Sequence, residues 1–319
     1  MFDHFPLPKD PLLTYQSASK SRAFLLARYS ALNIDHADQA AYDNCYRFMY
    51  YLEHGELFFK QAQQTALAIQ PVLAFYGLSH LIKACLLTVD PYYPSSVHVL
   101  AHGLSSRKRK KQNYHFFEDD VKVQRKGLFT HFSEKLFHVK HAEGTKLNMR
   151  ALLVQLPELY HLFISHFGSS PLLPLKASKP SVYYLPHQIL DDYKMTGNRL
   201  ANYLKEKTNE QLRIVSTQPN YLLLQMPPKR AIAPCRCHLF EQQWYFSRCK
   251  TNEAFFPELM IYYALLYNLS MIARYETEWW YELIKMTPGE EFPFIKQFLS
   301  LCIQKSALLI AEVLKTEQA

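Results

Sequence analysis

Residues 71–94 read PVLAFYGLSHLIKACLLTVDPYYP. Pro71 suits the first turn of a helix, where its missing N–H would lack an intrahelical partner anyway. Val72, Leu73, Phe75, Leu78, Leu81, Ile82, Cys85 and Leu86 make the segment apolar nearly all round, which places such a helix at the centre of a helical body. The DPYYP at 90–94 ends it. Upstream, residues 44–62 put Cys45, Phe48, Met49, Leu52 and Phe59 on one face, the spacing of a buried helical stripe. Two such helices in succession predict a mainly α protein.

Composition agrees. The chain has 319 residues, of which 49% are hydrophobic and 20% charged, enough for a real core. Its 8 glycines fall well below the usual share of about 7%. They stand at 55, 77, 103, 127, 144, 168, 197 and 289. None is close enough to another to form a GxGxxG turn or a GxxxxGK[ST] phosphate loop. The formal charge of +8 favours an anionic partner such as a nucleotide, RNA or an acidic protein face. The opening MFDHFPLPKD lacks the basic and apolar regions of a secretory signal. The longest apolar run, 259–273, is shorter than a ~20-residue span and contains Asn268 and Ser270. A soluble, cytoplasmic protein without membrane contact is therefore expected, and six cysteines suit a reducing compartment.

Along the chain, 1–43 reads as an arm with a short helix at 19–32. A helical bundle covers 44–170, with a long polar stretch and basic loop at 95–145 and a helix at 148–166. Four prolines between 171 and 186 mark a linker. It opens an α+β insertion reaching 256, with a helix at 191–208 and two β-hairpins, 212–215 with 221–225 and 236–240 with 244–247. Helices at 257–276 and 293–315, each with a first-turn proline, close the chain at 257–319 and pack back on the bundle.

The stretch 71–112, together with NCYRFMYYLEHGE (44–56) and YNLSMIARYETEWW (267–280), resembles the YaaC-like family of bacterial cytoplasmic proteins. That resemblance implies little chemistry; through gene neighbourhood it implies a link to guanine nucleotide synthesis, with IMP dehydrogenase as a protein partner. More remotely, Tyr76, His80 and Lys-Ala-Cys-Leu at 83–86, with His102-Gly103, are similar to HEPN-type domains, implying a HEPN-like helical bundle with the small α+β insertion. HEPN-type ribonucleases pair an arginine with a histidine a few residues on, and RFMYYLEH at 47–54 supplies Arg47 and His54. The seven-residue offset brings them within about 20° on a helix, with Tyr51 on the same stripe. A metal-independent ribonuclease would use His54 as acid or base and Arg47 to hold the phosphate. Here, however, the pair sits on an early helix with loose spacing, which also suits two structural polar groups on a helix flank.

Tyr76, His80 and Lys83, at i, i+4 and i+7, form a narrow polar stripe on the apolar helix. A buried ammonium needs a partner, so the stripe reaches solvent, an internal carboxylate or an anionic ligand. His102 precedes the run Arg107, Lys108, Arg109, Lys110 and Lys111. Five adjacent cations can hold phosphates, unless Glu118, Asp119 and Asp120 neutralise them. Cys235, Cys237, His238 and Cys249 invite a zinc reading, but alternation along a strand turns His238 away from the two cysteines. No metal site and no cofactor are expected. The leading expectation is a non-catalytic regulatory protein that contacts an anionic partner, with the Arg47–His54 ribonuclease as the alternative.

Overall fold

The computed structural model describes residues 11–106, 114–227, 231–287 and 289–315. At 58% helix and 13% strand the protein is mainly α. The chain divides into two compact units, one of residues 1–149 and 262–319, the other of residues 150–261.

The first unit opens with α1 (Ala18–Ala31), α2 (Ala37–Gln64) and α3 (Gln70–Leu87). The stripe read from the sequence is the buried face of α2, extended to Ala41, Asn44, Gly55 and Ala62. Residues 65–69 make a short connection, which sets α2 and α3 as antiparallel neighbours. They cross at two glycines. A Cβ on Gly55 would stand 2.6 Å from Leu81 Cδ2 and 3.0 Å from the Gly77 carbonyl, and one on Gly77 would stand 3.2 Å from the Gly55 carbonyl.

The end of α3 is tied to α1 and the 90–94 turn to α2. Asn44 Nδ2 donates to the Pro91 carbonyl at 2.9 Å, and Tyr29 Oη donates to the Leu87 carbonyl at 2.6 Å. Arg47 donates to Asn44 Oδ1 at 2.9 Å and to the Tyr93 carbonyl at 2.7 Å.

The stretch 95–145 is more structured than its polarity suggests. It holds β1 (Leu104–Ser106), β2 (Asp120–Val123) and α4 (Leu128–Phe137), and β3 (Lys146–Asn148) follows directly. The strands pair antiparallel in the order β1-β2-β3, with Val121 opposite Leu147. Val121, Val123 and Leu147 are buried, as are Phe129 and Phe132 of α4. His131 of α4 meets Asp90 Oδ2 at 2.9 Å and stacks on Tyr93 at 5.6 Å. Two members of the acidic patch have partners within the described residues. Asp119 is buried and accepts from Tyr114 Oη, from the Asp120 N–H at 2.6 Å and from Asn268 Nδ2 at 3.0 Å. Asp120 pairs with Lys146 at 3.3 Å.

The second unit begins at 150, earlier than the proline-rich boundary at 171. The expected 148–166 helix is broken by Pro157 into α5 (Met149–Leu153) and α6 (Tyr160–Phe167), with a 3₁₀ turn at Pro157–Leu159 between them. Their side chains bind within this unit: the Arg150 guanidinium lies over Phe167, and Glu158 Oε1 accepts the Leu239 N–H at 2.7 Å. The supposed linker is three strands, β4 (Leu172–Pro174), β5 (Lys176–Lys179) and β6 (Val182–Pro186). Pro174 and Pro186 end their strands and Pro180 sits in the β5–β6 connection, where no ladder N–H is lost from a strand interior. The expected 191–208 helix is two, α7 (Gln188–Tyr193) and α8 (Gly197–Lys207), separated by Lys194 at φ +53° and the capping Thr196.

Both hairpins are present, β7 (Arg213–Thr217) with β8 (Tyr221–Gln225) and β9 (Cys235–Cys237) with β10 (Trp244–Ser247). They enter different sheets, ordered β5-β6-β8-β7 and β4-β10-β9. Leu185, Ile189, Tyr193, Leu200, Leu204, Leu222 and Leu224 share the core of this unit.

The chain returns along α9 (Glu258–Tyr275), then α10 (Thr277–Met286) and α11 (Glu291–Lys315). The helix α10 was not anticipated; its Trp280 is buried and donates to the Ala68 carbonyl at 2.9 Å. α11 packs against α3 and α2. By length and composition α3 and α11 could cross a membrane; 67% and 50% of their apolar windows are buried within the protein, as befits core helices.

Candidate functional site

Two sets of candidate residues meet on one face of the first unit. The Gly55–Gly77 crossing brings His54 and Phe58 of α2 against Tyr76, His80 and Lys83 of α3. The His54 and His80 rings lie edge to face at 4.7 Å. Phe58 stacks on His80 at 5.7 Å with an interplanar angle of 11°, and lies 5.9 Å from Tyr76. Tyr51 is 5.9 Å from His80, and Lys83 Nζ sits 5.9 Å above the Tyr51 ring.

His102 joins them from the segment before β1. Its backbone depends on a second glycine pair. Gly103 has φ +79° and Gly127 φ +141°, and a Cβ on Gly127 would land on the Gly103 backbone. Only glycine tolerates both the dihedrals and the approach. The Leu128 and Phe129 N–H groups then donate to the Ala101 and His102 carbonyls at 2.6 and 3.1 Å. Tyr263 Oη also donates to the His102 carbonyl, at 2.9 Å. The His102 ring is thereby set 5.0 Å from Phe75, 6.4 Å from Tyr76 and 5.8 Å from Tyr267. Tyr267 in turn hydrogen-bonds Ser106 at the end of β1.

The electrostatics of this cluster are one-sided. Burial, then the neighbouring Lys83 and His54, push His80 down to about 4. Burial lowers Lys83. His102 is lowered by burial, then by Arg274 and Lys83. No carboxylate is among the groups that perturb them. Arg274 donates to the Ser270 carbonyl at 3.0 Å and to Met271 Sδ at 3.2 Å. Among the described residues, neither Lys83 nor Arg274 forms an ion pair.

Among the described residues, His80 Nδ1 is buried without a hydrogen-bond partner. An orphaned N–H is rarer than an orphaned acceptor. The favoured tautomer therefore leaves the lone pair inside and the proton on Nε2, at the ring edge nearer solvent. Neutral His80 thus offers a donor, beside two cations and two further imidazoles.

Arg47 does not take part. It is held by Asn44 and the Tyr93 carbonyl, and seven residues of helix place it about 10 Å along the axis from His54. The stripe Tyr76, His80, Lys83 and the separate His102 do come together, and Phe58, Tyr267 and Arg274 complete the cluster. The only prior signal for those three was aromatic or basic character on neighbouring helices. The run Arg107, Lys108, Arg109, Lys110 and Lys111 lies outside the described residues; it follows Ser106 in the chain.

In the second unit, Cys235 is buried in the core, pairs in register with Phe246, and has its thiol pushed up by burial. Cys249 is raised in the same way. His238 Nδ1 accepts the Glu241 N–H at 3.1 Å. These residues serve packing and a turn. No group of three or more metal-binding side chains forms among the described residues.

No curated protein and no solved structure matches the chain. The model of one family, described as YaaC-like Protein, matches residues 13–314. That span covers both units, so this chain belongs to the YaaC-like family.

Proposed function

We propose that the protein is a non-catalytic, cytoplasmic binding protein that takes an anionic partner into the cleft between α2 and α3. One observation carries this reading. His54, His80, Lys83, His102 and Arg274 converge there, and no carboxylate perturbs the shifted members of the set. Lys83 and Arg274 are partly buried and have no ion-pair partner among the described residues; such cations are costly to assemble, and an incoming anion offsets that cost. The basic run at 107–111, following from β1, adds long-range attraction. IMP dehydrogenase, brought in by the family resemblance, is the protein partner to try first. We read the helical body of the first unit as HEPN-like, supported by the α2–α3 hairpin with α11 packed on it.

The test is calorimetric titration with inorganic pyrophosphate as a generic anion, across a salt series, on the native protein and Lys83→Met. Binding should weaken as salt rises and fall at least tenfold in the variant. Salt-indifferent binding, or equal affinity in Lys83→Met, would place the partner elsewhere. Incubation with mixed RNA in EDTA covers the ribonuclease alternative: cleavage lost in His54→Ala would displace the binding reading.

A further inference from the structure

Three features narrow the kind of anion, given the binding reading above on which this step rests. The first is depth. Lys83, His80, His102 and Arg274 are all partly buried, so a ligand must project its charge inward to meet them. Exposed cations, by contrast, suffice to read a flat acidic surface.

The second is the approach. The exposed face of α2 leading to the site carries Asp43 and Glu53 among Tyr46, Tyr50 and one cation, Arg47, which is tied to Asn44 and the Tyr93 carbonyl. An extended anion, whether an acidic protein face or a nucleic-acid strand, would lie across those carboxylates. Like charges placed together oppose such docking. A compact anion avoids them.

The third is the wall. Tyr51, His54, Phe58, Tyr76 and His102 surround the donors with ring faces and edges. Phe58 stacks on the flat His80 ring, and Lys83 Nζ lies over the Tyr51 ring, so these aromatic faces pack against both a planar ring and a cation. Aromatic walls beside phosphate-type donors suit a ligand that pairs a planar ring with a phosphate. A phosphate also offers enough acceptor oxygens to engage a guanidinium, an ammonium and neutral imidazole N–H groups at once.

We infer that the α2–α3 cleft is a site for a free nucleotide, its phosphate held by Lys83, Arg274 and the histidine donors and its base laid against the Phe58 and Tyr76 rings. The wall needs only π-faces, so discrimination among the bases is weak.

The experiment is calorimetry on the full chain with five probes: AMP, adenosine, inorganic phosphate, an eight-residue oligoadenylate and polyglutamate. Two variants accompany the native protein, Lys83→Met, which keeps the packed stem, and Phe58→Leu, which keeps an apolar side chain; circular dichroism checks that both fold. AMP should bind at least tenfold tighter than adenosine or inorganic phosphate. Lys83→Met should weaken AMP and phosphate alike. Phe58→Leu should weaken AMP several-fold and leave phosphate unchanged, which a merely structural role for Phe58 would not do.

Phosphate binding as tightly as AMP would overturn the nucleotide inference and leave the anion site standing. So would Lys83-dependent binding of polyglutamate or oligoadenylate tighter than that of AMP. Failure of every anion to bind would overturn both the inference and the function it rests on.

Discussion

Replacing Gly55 by alanine tests whether the α2–α3 crossing sets the cleft. In an unconstrained helix interior the change gains about 0.5–1 kcal/mol, because alanine loses less backbone freedom on folding. Here the new Cβ would stand 2.6 and 2.7 Å from Leu81 Cδ2 and Cγ, and 3.0 Å from the Gly77 carbonyl. Leu81 is fully buried and has no free space to turn into, and the carbonyl belongs to the backbone of the facing helix. Overpacking of this kind costs roughly 1–3 kcal/mol. Contacts on both a packed side chain and the backbone put this case in the upper half of that range. The net expectation is a loss of about 1–2 kcal/mol, or a Tm lower by roughly 3–6 °C for a unit of this size.

The assay is urea unfolding by tryptophan fluorescence and circular dichroism, on the native protein, Gly55→Ala, Leu81→Ala and the double variant. With Leu81 shortened, Gly55→Ala should become neutral or stabilising, a coupling of at least about 1 kcal/mol. Gly197→Ala is the control. Its Cβ would meet nothing closer than Thr217 Oγ1 at 3.4 Å, so stability should hold. A Gly55→Ala protein as stable as the parent, or a cost unchanged by Leu81→Ala, would refute the close-crossing argument.

Acid should weaken the protein through His80. Its folded pKa of about 4 lies below the unfolded 6.5, so its contribution is fully present above 6.5 and is lost as pH falls towards 4; discounted for partial exposure it amounts to about 1–2 kcal/mol. His80→Gln should flatten the unfolding midpoint across that window. Asp90 is held below its ordinary 3.8, chiefly by the His131 hydrogen bond, so its contribution survives above 3.8 and disappears below it; Asp90→Asn should cost stability at pH 7 and little at pH 2.5. Asp119→Ala strips partners from Tyr114, Asn268 and the Asp120 N–H and should cost about 2–4 kcal/mol in denaturant titration. Replacing Arg107, Arg109 and Lys111 together should leave Tm unchanged and weaken an anionic partner about tenfold, or ~1.4 kcal/mol.

The long helices were legible because their burial repeats every three or four residues: Phe48, Leu52 and Phe59 on α2, and an all-round apolar α3. The hairpins at 213–225 and 235–247 were legible from alternation around turn residues. The strands at 104–106, 120–123 and 146–148 were not, since three or four residues rich in serine, lysine and aspartate carry almost no periodic signal. Prolines at 174, 180 and 186 read as a linker, yet two of them only end strands and the third turns between them.

Half of the site could be read from the Tyr76–His80–Lys83 stripe, because a lysine on an apolar helix has to be accounted for. That His54 would face His80 rests on Gly55 meeting Gly77, two glycines 22 positions apart with no local mark of pairing. Arg274 and Tyr267 arrive from a helix almost two hundred residues further along the chain.

The most direct test of the anion site is the pKa of His80, read by side-chain NMR with and without saturating pyrophosphate. An anion seated among Lys83, Arg274 and the histidines favours the charged imidazole, so the His80 pKa should rise from about 4 by at least one unit on binding, and Lys83→Met should need at least tenfold more pyrophosphate to produce its rise. A His80 pKa that does not move while pyrophosphate is bound would contradict the account, because the anion would then be bound somewhere other than between α2 and α3.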